Sequence, residues 1–247
     1  MPERFWSLKG CPLFEQLSDD EITQLEQRCR SKAFLRGSVI DLPGQTASVI
    51  YLVISGRIKI SHITEDGKES ILAFIQPGEI FGELAVVDET GNEDFLEASE
   101  KSMVLMIPVE AVRRLMERHA GISLAITKLI GLRRRRIERR LKSMMFHPAR
   151  ERLIHVLLDF AEDYGDIQGN ELHLRIRLSH QELANLIGST RETVTVALGE
   201  LRRNGCIRLE RRRVILTHPD LLARTVHRGV PSVQKSVLKP IPAYDAF

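Results

Sequence analysis

Thr190, Arg191, Glu192, Thr195 and Val196 are the residues of this chain whose types and spacing suggest chemistry first. Within two turns of a candidate helix they offer hydroxyls, one guanidinium, one carboxylate and one branched apolar chain. Such a set contacts base edges when the start of a helix enters the major groove of duplex DNA. The elements that must hold it lie on either side. Leu178–Gly205 reads LSHQELANLIGSTRETVTVALGELRRNG. Ser179 with Glu182 three residues on is a capping box, in which hydroxyl and carboxylate reciprocally satisfy free N–H groups. Leu183, Ala184 and Ile187 form one apolar face. Gly188 ends the helix in the left-handed conformation. A second helix starts at Ser189 or Thr190, and Val194, Ala197, Leu198 and Leu201 recur at helical spacing as far as Gly205. Two short amphipathic helices around a small-residue turn make a helix-turn-helix.

Downstream, CIRLE and VILTH flank Arg211, Arg212 and Arg213, which predicts a hairpin wing with arginines at its tip. Asp220–Val226 reads as a short helix, and 229–247 as a patternless, Pro-rich tail. Upstream, Pro148 disfavours helix at His147, so a boundary falls there. Ala149–Asp163 is amphipathic, Tyr164–Asn170 reads as a loop and Glu171–Leu178 as a strand.

Ser123–Phe146 predicts a long helix. Ser123, Thr127, Ile130, Arg134, Ile137, Leu141 and Met144 alternate steps of four and three, the spacing of a coiled-coil seam. Seven of the ten residues in Arg133–Lys142 are basic, and most of these read as a solvated face. Arg134 is the exception, because it falls on the seam. VEAVRRLMERHA before it is a separate helix, with Gly121 as the interruption. From Lys32 onward, glycines punctuate short β-rich runs (SVIDL, SVIYLVI, RIKISHI, ESILAFI, MVLMI), predicting about eight strands in a barrel, sandwich or roll. Alternation in Arg57–Ile63 puts Ile58, Ile60 and His62 on one face. CPLFEQLSDDEITQLEQRCR reads as helical, with Ser18 as its N-cap.

The chain has 247 residues, 43% of them hydrophobic, enough to bury a real core. Its net charge of +3 is small, so clustering of arginines decides nucleic-acid binding rather than the total. No apolar run approaches the ~18 residues of a membrane helix, and the first ten residues lack the apolar core of a signal peptide. These features predict a cytoplasmic protein without a membrane partner. Cys11, Cys29 and Cys206 are isolated, without the spacing of a metal site, and read as reduced buried thiols. No nucleophile–base pair, metal cluster or phosphate loop points to an enzyme.

With these elements in order, the chain resembles the catabolite-activator and fumarate–nitrate regulator family of bacterial transcription factors. RGSVIDLPGQTASVIYLVISGRIKI and PGEIFGELAVVDETGN look like the strands of the cyclic-nucleotide-binding β-roll. LSHQELANLIGSTRETVTVALGELRRNGCI is similar to the DNA-binding halves of the cyanobacterial nitrogen-control regulator and the carbon-monoxide-sensing haem activator. The resemblance implies an α+β chain: a β-roll effector domain (1–120), a dimerisation helix (121–146), a winged helix-turn-helix (147–228) and a flexible tail (229–247). It implies a homodimer on a palindromic duplex, with RNA polymerase as a further partner. It implies that Arg191 binds a guanine, Glu192 accepts from a cytosine, and Thr195 and Val196 complete the base-reading set. Val196 stands where the catabolite activator has an arginine. Ser179, Thr190, Thr193, Arg202, Arg203, Arg211, Arg212 and Arg213 form the phosphate-contacting set, with Thr193 and Thr195 equally readable as surface. Glu192 has a competing role as a capping carboxylate if Ser189 is the N-cap.

The effector is the departure from the family pattern. Gly82 and Glu83 match the cyclic-nucleotide pocket, but Asp94 and Phe95 stand near the phosphate-gripping arginine and its small neighbour. A carboxylate there repels a phosphate. Ile137-Glu138 replace the adenine-contacting Thr-Ser pair. Gly82 and Leu84 occupy the haem sensor's ligand positions. Both cyclic AMP and haem are therefore disfavoured. The nitrogen-control regulator holds a dicarboxylate with arginine, so Phe81, Gly82, Glu83, Leu84 and Arg134 are read as a pocket for a small anion such as 2-oxoglutarate. The competing expectation is a closed pocket, with Arg134 paired to an acid and Glu83 purely structural. The competing function is a β-roll ligand-binding or interaction module with little DNA specificity.

Overall fold

The computed structural model describes residues 7–43, 48–88, 93–210 and 213–232. The chain separates into two compact units, dividing between Arg135 and Arg136. No described helix is long and apolar enough to cross a membrane.

The N-terminal unit begins with α1 (Asp19–Arg28), capped by Ser18 and Glu21 in a capping box, with Ile22 and Leu25 buried. Eight strands follow: β1 (Arg30–Phe34), β2 (Val39–Asp41), β3 (Val49–Ser55), β4 (Ile58–Ile63), β5 (Glu69–Ile75), β6 (Ile80–Phe81), β7 (Phe95–Ala98) and β8 (Ser102–Pro108). They form two four-stranded sheets, β1-β8-β3-β6 and β2-β7-β4-β5, with antiparallel pairing throughout. The continuous apolar run of β3 has a direct cause. Tyr51 and Val53 join Ile58, Ile75, Leu96 and Ala98 of the other sheet in one core cluster. Ile50 and Leu52, pointing the other way, pack with Leu8, Phe14 and Ile22 in a second. A strand buried on both faces needs no polar alternation.

β4 departs from simple alternation. The register shifts between Ile60 and Ser61, and the irregularity buries Ser61 and leaves His62 exposed. Lys59 bridges Glu69 (2.6 Å) and Glu97 (3.2 Å). Burial pushes its ammonium pKa down, but the two carboxylates outweigh that and the net shift is upward.

α2 (Val109–Arg118) and α3 (Ala120–Phe146) are separate, as expected, but the break lies at His119 and Gly121 sits inside α3. His119 has extended backbone and its Nε2 lies 2.7 Å from Glu21 Oε1. The break is thus tied to α1 rather than caused by glycine.

The C-terminal unit contains α4 (Ala149–Tyr164), β9 (Gly165–Gln168), β10 (Glu171–Leu174), α5 (His180–Ile187), α6 (Arg191–Arg203), β11 (Ile207–Glu210), β12 (Arg213–Leu216) and α7 (Pro219–Thr225). The expected loop at 164–170 is instead largely β9, paired with β10 in a four-stranded sheet of order β11-β12-β10-β9. Leu153, Leu157, Leu183, Ile187, Val194, Leu198 and Leu201 are all buried. The thiols of Cys11, Cys29 and Cys206 are buried, and burial pushes the Cys11 thiol up to about 12. That removes Cys11 from thiolate chemistry near neutral pH.

Candidate nucleic-acid interface and effector site

The local rules around the turn are satisfied atom by atom. Ser179 Oγ accepts from the Glu182 amide (3.1 Å), and Glu182 Oε2 accepts from the Ser179 amide (2.7 Å). Gly188 caps α5 with φ 59°, a conformation that is unfavourable for any residue with a Cβ. Thr190, not Ser189, caps α6: its Oγ1 accepts from the Thr193 amide at 3.2 Å. Glu192 is therefore free of capping duty, and its charge still suits the positive end of the helix.

These caps fix what α6 exposes. Arg191, Glu192, Thr193, Thr195 and Val196 are exposed, while Val194, Ala197 and Leu198 are buried against the unit. The side chains of Arg191 and Glu192 form no hydrogen bond or ion pair among the described residues, and Val196 is 61% exposed. Thr195 is more constrained: its hydroxyl donates to the Arg191 carbonyl (2.9 Å) and meets His180 Nδ1 at 2.7 Å. Arg202 and Arg203 are exposed in the last turn of α6, and Arg213 is exposed at the start of β12. Arg211 and Arg212 lie outside the described residues, as does 233–247 of the expected tail. The hydroxyls of Ser179 and Thr190 cap α5 and α6. Ser179→Ala is expected to destabilise the C-terminal unit by about 1 kcal/mol, read from urea unfolding.

In the N-terminal unit, Phe81 is fully buried and stacks on Tyr51, with ring centroids 4.7 Å apart. Gly82 follows with φ 75°, and Glu83–Val86 form a single 3₁₀ turn. Leu84 is exposed, but the Glu83 side chain is only 6% exposed. The arginine that meets Glu83 is Arg133, which also donates to the Ile80 carbonyl. Arg134, the arginine that falls on the seam, is exposed. Ile122, Ile126, Leu129 and the seam residue Ile130 pack on the core; Arg133, one helical turn beyond Leu129, reaches Glu83 and the Ile80 carbonyl, and one residue turns a helix by about 100°. Spacing that locates a seam does not locate the neighbouring core face. Asp94 lies 3.7 Å from His62 Nδ1. Burial raises the Asp94 carboxyl pKa, partly offset by His62.

Comparisons with known proteins agree with this geometry. Residues 31–119 match the cyclic nucleotide-binding domain, and residues 151–225 match the Crp-like helix-turn-helix domain. The chain is 30% identical to the global nitrogen regulator of Synechococcus elongatus, covering 86% of this chain and 94% of that protein. It is 28% identical to a CRP-like cAMP-activated global transcriptional regulator of Mycobacterium tuberculosis, over 86% of this chain and 95% of the relative. Among solved structures it is similar in fold to a CooA mutant from Carboxydothermus hydrogenoformans. The TM-score is 0.72 at 23% identity, covering 85% of this chain and 91% of the other.

Proposed function

The chain belongs to the CRP/FNR family of bacterial transcription regulators, and from that membership we propose that it works as a homodimer reading a palindromic duplex site. On this reading 1–120 is the effector domain, 121–146 the dimerisation helix and 147–228 the DNA-binding domain, followed by a tail at 229–247. Two copies of α6 enter successive major grooves, with half-site centres about 34–36 Å apart. Arg191, Glu192, Thr195 and Val196 read bases. Thr193, Arg202, Arg203, Arg211, Arg212 and Arg213 neutralise phosphates. RNA polymerase is the further protein partner.

The observation that carries the reading is a doubly capped helix-turn-helix whose leading arginine and glutamate are exposed and unengaged. A salt-titrated binding assay on selected palindromes against random duplex tests it. The expected result is a specificity ratio of about 10³ or more at physiological salt. Equal affinity for both duplexes would return the chain to a ligand-binding or interaction module.

The dimer has its own support. Ile137, Leu141 and Met145 are 67%, 56% and 66% exposed along one side of α3, an apolar stripe that a partner helix would cover. Leu141→Glu is expected to yield monomers in sedimentation. Affinity for the palindrome is expected to fall by about 10²-fold or more as the second half-site contact is lost.

For the effector, the reading is a small dicarboxylate such as 2-oxoglutarate near Phe81–Leu84, with Arg133 as the cation that meets it. Cyclic AMP is disfavoured by Asp94 and Phe95, and is tested beside it only because Glu83 follows Gly82 as in the cyclic-nucleotide pocket. Calorimetry with each ligand decides between them, and heat from neither would leave a chain without a small-molecule effector.

A further inference from the structure

A cavity of about 270 Å³ opens within the C-terminal unit, between the last turns of α3, α4, the end of α5 and residues 226–228. Its charge is lopsided. Arg139, Arg140, Lys142, Arg152 and Arg228 line it against a single carboxylate, Asp159. That carboxylate is already shared by Arg228 (2.8 Å) and Arg139 (3.5 Å). Lys142 and Arg152 have no acidic partner among the described residues.

The polar atoms of the lining point the same way. Ser143 Oγ, Arg152 Nε and His155 Nε2 are buried and lack hydrogen-bond partners among the described residues. Buried polar groups in folded proteins are nearly always satisfied, so three on residues lining one cavity call for a ligand that pairs with them. Burial, then Arg228 and His147, hold the His155 imidazolium pKa below the usual histidine range. Burial likewise brings Arg140 down to about 10. Water would satisfy the hydroxyl and the imidazole but would not balance Lys142 and Arg152. The volume lies just below the roughly 300–1,000 Å³ of sites for drug-sized ligands, which favours an occupant of few atoms.

We propose that this cavity is a binding site for a compact oxyanion of the size of inorganic phosphate. The anion accepts from Arg152 Nε and Ser143 Oγ, takes a third donor from His155, and is neutralised by Lys142. Guanidinium and oxyanion geometry match well, and the charge strengthens each hydrogen bond. Because Ser143 belongs to α3 and Arg152 and His155 to α4, the bound anion ties the end of α3 to α4 across His147-Pro148.

The test is calorimetry of the full chain with sodium phosphate against sodium chloride at equal ionic strength. One saturable site per chain with Kd below about 1 mM is expected. Arg152→Gln is expected to weaken binding about tenfold or more. Ser143→Ala provides a second variant if the first no longer melts cooperatively in chloride. In the wild-type protein, the His155 resonance of a histidine-labelled sample should titrate at higher pH with phosphate than with chloride, because an anion offsets Arg228 and His147. No saturable binding below about 10 mM and no His155 shift would overturn the proposal. Displacement of phosphate by a stoichiometric amount of bound duplex would also overturn it, because the cations would then serve the DNA backbone.

Discussion

Arg191→Ala is expected to cost about 1–3 kcal/mol of specific DNA affinity per half-site and to flatten preference at one base position. The size follows from where the side chain sits. Arg191 is the first residue of α6, its helix is fixed by the Thr190 cap, and its guanidinium has no competing partner among the described residues. On the proposed reading it enters the complex without first breaking an internal ion pair, so truncation would remove the whole bidentate contact to guanine O6 and N7. Arg202 and Arg203 provide the contrast. They are exposed in the last turn of the same helix, and the proposed reading gives them phosphates rather than bases. Arg202→Ala should weaken all duplexes nearly alike and lower the slope of log affinity against log salt by about 1. A panel of single-base variants of the palindrome, titrated against both proteins, separates the two behaviours. Uniform weakening by Arg191→Ala would make it a phosphate contact and shift base reading to Glu192 and Val196.

The helix-turn-helix and the effector region differ in how far their determinants lie apart along the chain. Ser179, Glu182 and Gly188 obey rules that operate over three or four residues, so the helix-turn-helix is written locally and is legible in the sequence. The β3 run is equally clear because both of its faces are buried. β6 is not, because two residues, Ile80 and Phe81, become a strand only through pairing with Leu52 and Tyr51. β9 is hidden for the same reason: Gly165–Gln168 has little strand propensity, and β10 supplies its partner. His62 leaves its expected face because of an irregularity that no alternation pattern encodes. Arg133 is hard to single out because it sits in a run of four arginines, where only packing distinguishes one from the next. The signal that points to it is the apolar series Ile122, Ile126 and Leu129, which runs beside the seam and continues onto Arg133.

Arg133 and Glu83 also determine how an anionic effector could bind. Glu83 is almost fully buried, and Arg133 clamps its carboxylate together with the Ile80 carbonyl across Phe81 and Gly82. Removing the cation alone, as in Arg133→Met, strands a buried carboxylate and is expected to destabilise the N-terminal unit by about 3–5 kcal/mol. Hydrogen exchange at Ile80–Val86 should register this first. Pairing Arg133→Met with Glu83→Leu should recover most of the loss, since a buried ion pair replaced by apolar groups is often neutral. The same pair makes Glu83 an internal competitor of any carboxylate that seeks Arg133. Glu83→Gln keeps the shape and removes the competing charge. If a dicarboxylate such as 2-oxoglutarate binds through Arg133, Glu83→Gln is expected to tighten it by about tenfold or more, the weight of one charge-assisted hydrogen bond. If Glu83 instead holds a ribose hydroxyl of a cyclic nucleotide, the same substitution weakens binding. Calorimetry on this one variant with the two ligands therefore gives opposite signs for the two readings. Arg134→Met should leave either affinity unchanged, because that side chain lies on the exposed face of α3.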